Sequence, residues 1–239
     1  MFKWIRRCLF FLLVILCILG GIVFLNGYQF YQNTLEKQSL TSKIEEIRSS
    51  DTYVHIQDLP DYYKQAVVSV EDHRFYNHGG IDIFSIGRAI VSNIRQGEFA
   101  EGGSTITQQV AKNLYFITED NVVNRKIAEI LVGFDLENQY TKGDILELYV
   151  NTIYFGDGYY GIAEASHGYF GKDAKDMHFY ECTLLAGVPN APSVYAPTKN
   201  LDLALNRQQK VIRSMIKYTD LTQEEANQLF EETKPREDE

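Results

Sequence analysis

Residues 101–113 read EGGSTITQQVAKN, a stretch whose spacing predicts the start of an amphipathic helix. Thr105 followed by Gln108 matches a capping box, so we expect the helix to begin directly after Thr105. Apolar residues then recur on one face, at Ile106, Val110 and Leu114. Gln108 and Lys112 share the opposite face. Glycines before a capped helix leave backbone N–H groups at its positive end, which suits an anion, although a merely solvated polar face is the alternative.

Helical spacing continues through most of the chain after residue 58, whereas few stretches alternate with the period of a strand. The first of these helices should have Asp58 as its cap and Pro60 in its first turn. Another should run from about Asn124. Further helices are predicted over 141–155, 160–170, 177–187, 200–218 and 222–232. The chain is therefore predicted to be mostly α.

An uncharged apolar run of 18 residues extends from Cys8 to Leu25. A helix of about 20 such residues spans the hydrocarbon core of a bilayer. The flank of Lys3, Arg6 and Arg7 predicts that the N-terminus is cytoplasmic. A cleaved signal peptide is the alternative, but the run exceeds the usual apolar region of roughly 7–15 residues, and no A-x-A-like site follows. We therefore expect a single-pass signal anchor that places the rest of the chain on the extracellular face.

Composition excludes several classes of protein. The chain is 45% hydrophobic, which rules out collagen-like, low-complexity and wholly disordered proteins. Its net charge is −9, and the three basic residues near the N-terminus leave −12 on residues 28–239. Such an acidic domain is a poor partner for nucleic acid. Cys182 alone lies outside the apolar run and can form neither an internal disulfide nor a zinc site, so we expect it to be buried.

Glu71 and Asp72 follow the apolar stretch AVVSV. Burial there would raise a carboxyl pKa towards that of a general base or acid, whereas an ordinary acidic pair at a helix end is the alternative. His73 and His78 have no common metal-binding spacing, so structural hydrogen bonds are expected for both. Farther on, Glu129 lies four residues after Arg125, next to Lys126. This is either an intrahelical ion pair or a carboxylate held beside cations at an anionic leaving group.

Two other patterns are interpreted as chance matches. Residues 156–161 match G-x-G-x-x-G, but no alternation of strands and helices surrounds them as in a dinucleotide-binding fold. Ser214 and Lys217 match S-x-x-K, the acylating motif of penicillin-binding domains, but neither S-D-N nor K-T-G follows.

Five stretches together resemble the motifs of the peptidoglycan glycosyltransferases of glycosyltransferase family 51. The first three, E-D-x-x-F-x-x-H-x-G, G-x-S-T-I-T-Q-Q-x-x-K-N and R-K-x-x-E, match residues 71–80, 102–113 and 125–129. The fourth resembles I-L-E-x-Y-(L/V)-N, G-x-G-x-x-G and Y-F-G-K, at residues 145–151, 156–161 and 169–172. The fifth, LAGVPNAPSVYAP, covers 185–197. The chain resembles a monofunctional member of this family.

The resemblance implies a mostly α fold with a lysozyme-like head lobe, a small membrane-proximal jaw lobe and one N-terminal transmembrane helix. The jaw needs apolar surface, for which the candidates are Ile86, Ile90, Ile94 and Phe99, or Leu114, Tyr115 and Phe116. The expected division is a cytoplasmic tail over 1–7, a signal anchor over 8–27, a connector over 28–57, a glycosyltransferase domain over 58–218, and a C-terminal helix with an acidic tail over 219–239.

The implied reaction joins the disaccharide of lipid II to a growing glycan and releases undecaprenyl diphosphate. By resemblance, Glu71 is the general base, and Glu129 assists at the leaving diphosphate. The implied substrate-binding residues are Arg88, Ser104, Gln108, Gln109, Lys112, Arg125, Lys126 and Asn151. No tightly bound cofactor is implied, and a divalent ion near Glu129, Mg²⁺ or Mn²⁺, remains open.

The implied partners are the membrane, lipid II, the lipid-linked glycan, and the transpeptidases and other proteins of bacterial cell-wall synthesis. Many members carry an Arg four residues before the third motif, where this chain has Asn121. This departure puts the affinity for the donor in doubt. A lysozyme-like peptidoglycan hydrolase, or a catalytically weak membrane-anchored scaffold of the cell-wall machinery, are the alternative functions.

Overall fold

The structure is a computed structural model that describes residues 2–96 and 103–235. Over these ranges the backbone is mostly helical, and its strand-like pairing is limited to an isolated bridge between Tyr154 and Tyr160. The helices are α1 (Phe2–Lys37), α2 (Leu40–Arg48), α3 (Asp61–Glu71), α4 (Ile83–Gln96), α5 (Ile106–Tyr115), α6 (Val122–Gln139), α7 (Lys142–Thr152), α8 (Ile162–Phe170), α9 (Phe179–Gly187), α10 (Pro192–Tyr195), α11 (Leu201–Tyr218) and α12 (Gln223–Thr233). The predicted mostly α fold is confirmed.

Helix α1 contains the predicted anchor and continues well beyond it. Residues 4–37 are long and apolar enough to cross a membrane, and the most apolar part of this helix is not buried against the rest of the chain. The later part of α1 packs on α6, where a Cβ on Gly27 would lie only 2.6 Å from the Ile127 side chain. Tyr31 adds a hydrogen bond of 2.6 Å from its hydroxyl to Asp135.

The stretch 28–57, predicted as a connector, packs as part of the domain. Leu40 and Ile44 of α2 are buried in the same hydrophobic core as α3, α5 and α7. A boundary at residue 58 therefore does not separate two bodies. The same holds at the other end, where Phe230 of α12 packs on Tyr180 of α9.

The starts of three helices can be compared with the capping residues that the sequence predicts. Helix α5 begins where predicted, and the Thr105 hydroxyl accepts a hydrogen bond of 3.1 Å from the Gln108 backbone N–H. The start predicted at Asp58 is wrong, because residues 56–58 form a 3₁₀ turn and Pro60 becomes the N-cap of α3. Helix α6 begins at Val122, with Asn121 as its N-cap.

The second candidate set for an apolar jaw is not a surface. Leu114 and Phe116 are almost fully buried in the core. Of the first set, Phe99 and the side chains of Ile90 and Ile94 lie outside the described residues. Exposed apolar side chains occur instead at the first turns of α4 and α6, at Ile83, Phe84, Val122 and Val123.

Asn121 should act through the stability of α6. Its side-chain oxygen accepts a hydrogen bond of 3.1 Å from the Asn124 backbone N–H. We expect Asn121→Ala to lower the free energy of unfolding by about 1 kcal/mol, whereas Asn121→Asp keeps the cap and should stay near the original stability. Chemical denaturation in detergent, followed by circular dichroism, measures both variants. Equal stabilities of the two variants would contradict this role.

Candidate active site

A cleft of about 830 Å³ opens between the end of α3, α5, α6, the loop after α7 and α11. It brings together seven of the ten predicted site residues, which are Glu71, Arg88, Ser104, Gln108, Gln109, Lys112 and Glu129. Six of these residues come from three separate motifs of the sequence, and Arg88 lies between the first and the second. The cleft is therefore the candidate site.

Glu71 is the last residue of α3, and its side chain is only 10% exposed. One carboxylate oxygen, Oε2, accepts a hydrogen bond of 2.9 Å from Gln109 Nε2. The other, Oε1, lies 3.6 Å from Arg207 Nη2 and has no hydrogen-bond partner among the described residues. Burial raises the pKa of Glu71 above its ordinary value, and Gln109 and Arg207 only partly oppose this effect. Such a carboxyl group accepts a proton more readily than an ordinary glutamate, which suits a general base.

Two tyrosines surround Glu71 on its buried side. Tyr63 and Tyr149 are fully buried, and within the described ranges their hydroxyls have no hydrogen-bond partner. Burial raises the pKa of both phenols, and the charge on Glu71 adds to the effect. The raised pKa keeps both phenols neutral, so neither tyrosine offers Glu71 a charged partner.

Asp72 serves a different purpose from its neighbour. Its carboxylate lies 2.9 Å from His78 Nε2 and accepts a hydrogen bond of 3.1 Å from the Ile106 backbone N–H. Asp72, His78 and Asp82 are close enough to hold a metal ion. However, Asp82 is already engaged by Ser85 Oγ at 2.6 Å and by Arg74 Nε at 3.2 Å. The group is therefore a structural network, as expected for His78.

Glu129 is buried beside two cations of its own helix. Lys126 Nζ lies 3.1 Å from Glu129 Oε2, and Arg125 Nε lies 3.3 Å from Oε1. Lys126 also donates to Ser104 Oγ at 2.9 Å and to Gln108 Oε1 at 3.1 Å. Arg125 and Lys126 are not lining residues, but Lys126 contacts three residues that are. The arrangement is an ordered cationic group on one wall of the cleft.

The surroundings of Glu129 do not fit a divalent ion. Both of its oxygens face cations, and no cluster of three metal-binding side chains in the described ranges includes it. A divalent ion would need further oxygen ligands here and would meet the charge of Lys126 and Arg125. We therefore derive no step through a metal.

Asn151 lies outside the cleft lining, in contrast to the prediction that it binds substrate. Its Oδ1 accepts from the Val54 backbone N–H at 2.8 Å, and its Nδ2 donates to the carbonyls of Val54 and Glu147, each at 2.8 Å. The amide is fully used in holding the segment before α3 against α7.

Sequence reasoning missed one wall of the cleft. Helix α11 contributes residues at i, i+3, i+7 and i+10, which are Arg207, Lys210, Ser214 and Lys217. Tyr218 follows them, stacked on His73 with ring centroids 4.0 Å apart. His73 also lies 3.2 Å from Arg88. The only sequence signal was basic residues at helical spacing, which a solvated helix face shows equally often. The Ser214 and Lys217 pair, dismissed as a chance match, lies on this wall.

The family model and the sequence relatives agree on one family. The sequence model of a family described as Transglycosylase matches residues 32–216. Penicillin-binding protein 1F of Bacillus subtilis (strain 168) is 39% identical over 232 residues, which cover 90% of this chain and 32% of that protein. Penicillin-binding protein 1A of Neisseria lactamica is 41% identical over 75% of this chain and 22% of that protein. A crystal structure of penicillin-binding protein 1A from Haemophilus influenzae has 26% identity and a TM-score of 0.35, over 55% of this chain and 16% of that one. The chain thus spans about a third or less of these proteins.

The raised pKa of Glu71 predicts a pH-dependent cost in stability. A carboxyl group whose pKa is higher in the folded state contributes most at low pH, and that contribution is lost as the pH rises from its ordinary value of 4.5 through the raised pKa. We therefore expect Glu71→Gln to gain stability relative to the original chain over this range. Denaturation of both proteins between pH 4 and 8 measures the difference. A difference that does not change with pH would contradict the raised pKa.

Proposed function

Since the chain belongs to the transglycosylase family, we propose that it extends peptidoglycan glycan strands from lipid II and releases undecaprenyl diphosphate. The observation that carries the proposal is a pair of buried carboxylates in one cleft with opposite surroundings. Glu71 has a raised pKa and one oxygen, Oε1, without a hydrogen-bond partner among the described residues, whereas Glu129 is held between two cations. The first arrangement suits a base, and the second suits the stabilisation of an anionic leaving group.

In the proposed reaction, the 4-hydroxyl of the acceptor sugar attacks C1 of the lipid-linked donor chain. The new bond joins O4 to C1, and the bond between C1 and the diphosphate oxygen breaks. The electron pair of that bond leaves with the diphosphate, while Glu71 takes the hydroxyl proton and later returns it to water in the cleft. Gln109 orients the carboxylate by holding Oε2, which leaves Oε1 for the incoming proton.

The leaving diphosphate would be bound by Lys112 of α5 and by the cationic group of α6, which is Arg125 and Lys126. Lys112 lines the cleft with an exposed side chain and has no ion pair among the described residues. Lys126 is already oriented by Ser104, Gln108 and Glu129, so it needs little reorganisation as charge develops on the oxygen. In this proposal Glu129 is a positioning residue, because it keeps Arg125 and Lys126 in place rather than contacting the diphosphate.

The cations of α6 lie close to the end of the membrane anchor, and this position supports a lipid-linked substrate. Ile127, which contacts Gly27 at the end of the predicted span, lies between Lys126 and Glu129 on α6. The cations are therefore about one helical turn from the point where α1 leaves the apolar run. The basic N-terminal flank supports a cytoplasmic N-terminus and an extracellular cleft. Transpeptidases and other cell-wall proteins would then act on the product.

Loss of the base should abolish polymerisation without loss of the fold. We expect Glu71→Gln to reduce the rate of lipid II polymerisation by about 10²–10⁴, because a positioned base typically contributes that much. Consumption of lipid II by the purified protein in detergent measures the rate. Glu46→Gln, at an exposed glutamate of α2 outside the cleft, is the matched control. Near-normal turnover by Glu71→Gln would overturn the assignment, and consumption of finished glycan instead of lipid II would identify a hydrolase.

Lys112 should carry a large share of the binding of the diphosphate. We expect Lys112→Ala to lower kcat/KM by roughly 10- to 150-fold, since a hydrogen bond to a charged group is worth about 1.5–3 kcal/mol. Lys175→Ala, at an exposed lysine outside the cleft, should leave kcat/KM unchanged. Polymerisation measured across lipid II concentrations at one ionic strength provides both values. Unchanged kinetics in Lys112→Ala would show that the polar face of α5 is only solvated.

A further inference from the structure

The loop between α7 and α8 holds two exposed tyrosines against each other in the cleft. The ring centroids of Tyr154 and Tyr160 lie 4.7 Å apart, with 36° between the ring planes. Both residues line the cleft, and they are 36% and 50% exposed. The reaction steps above make no use of either ring.

The backbone of this loop is tightly built. The pair is joined by an isolated antiparallel bridge, and Gly161 N donates to the Ile153 carbonyl at 2.9 Å. Gly156, Gly158 and Gly161 have φ angles of 87°, 88° and 81°, which side chains disfavour. A Cβ on Gly161 would lie 2.8 Å from the Asn151 carbonyl oxygen. The glycines of the G-x-G-x-x-G match at residues 156–161 are therefore required by the backbone of this turn.

Side chains hold the loop from outside. The Tyr169 hydroxyl donates to the Phe155 carbonyl at 2.8 Å, and Asp157 accepts from Thr198 and pairs with Lys199 at 3.0 Å. The loop is thus fixed on both flanks before any ligand binds. Preorganisation of this kind lowers the entropic cost of binding. Large aromatic rings left open to solvent on such a loop indicate a surface that a ligand covers.

We propose that Tyr154 and Tyr160 form a stacking platform for a pyranose ring of the glycan chain. A sugar whose substituents are equatorial presents axial C–H bonds on its faces, and these carry partial positive charge. The face of an aromatic ring carries the complementary negative charge. The phenol hydroxyls add hydrogen-bonding groups that an acyl chain would not use. The proposal rests on the proposed function, since it assigns the sugar of that substrate to a place in the cleft.

The test measures sugar binding without the reaction. A lipid-free GlcNAc–MurNAc tetrasaccharide is titrated into the full-length protein in detergent and followed by calorimetry or saturation-transfer NMR. We expect the double variant Tyr154→Ala/Tyr160→Ala to weaken binding by roughly tenfold or more, the order expected when a stacked contact is lost. Tyr154→Phe/Tyr160→Phe retains the rings and should keep most of the affinity. Tyr76→Ala removes an exposed tyrosine outside the cleft and should bind like the original chain.

The outcomes separate this proposal from the proposed function. Binding of the tetrasaccharide by a chain that does not polymerise lipid II leaves the platform standing and overturns the polymerase. Polymerisation in which the double Ala variant raises KM with little change in kcat supports both. Unchanged sugar affinity in the double Ala variant, with circular dichroism showing that it is folded, overturns the platform. Equal losses of sugar affinity in the double Phe and double Ala variants also overturn stacking. So does a double Ala variant that binds undecaprenyl phosphate micelles more weakly but keeps its affinity for the tetrasaccharide.

Discussion

One buried carboxylate, that of Asp72, holds the site together. It binds the backbone N–H at the start of α5 and the ring of His78, and so joins the end of α3 to α5. The loop that follows is fixed at Gly80, whose carbonyl accepts from Thr105 Oγ1 and Gln108 Nε2, each at 3.1 Å. Because Asp72 is used for structure, the adjacent Glu71 is directed to the other side, where Gln109 of the same α5 receives it.

The two carboxylates of the cleft, Glu71 and Glu129, lie in different electrostatic environments. Around Glu71, burial outweighs a single amide and an arginine held 3.6 Å away, so its pKa rises. Around Glu129, two cations lie within 3.3 Å. A carboxylate in the first setting takes up a proton more readily than an ordinary glutamate, whereas one in the second orders the cations beside it. Two residues of the same type therefore serve different purposes because different helices surround them.

Local signals in the sequence predicted much of this arrangement. The cap at Thr105, the buried face of α5 and the later helices depend on neighbours within a few residues, so spacing alone located them. The wall formed by α11 could not be found in this way, since only tertiary packing decides whether Arg207 faces Glu71 or solvent. Asn151 failed for the converse reason. Its place in a motif indicated function, but its amide is fully used by Val54 and Glu147.

Helix α1 is continuous, and it connects the membrane anchor to α6, the helix that carries Lys126 and Glu129. The helix runs from the apolar span to Lys37 without a break, and Gly27 lets it approach Ile127 of α6 closely. The Tyr31 hydrogen bond to Asp135 ties α1 to α6 at a second point. Helix packing, rather than a flexible linker, thus determines how far Lys126 and Glu129 stand from the end of the span. For the lipid-linked substrate that we propose, this packing would hold the cations of α6 at a fixed distance from the end of the apolar run. The contact between α1 and α6 therefore determines how far the site lies from the end of the apolar run.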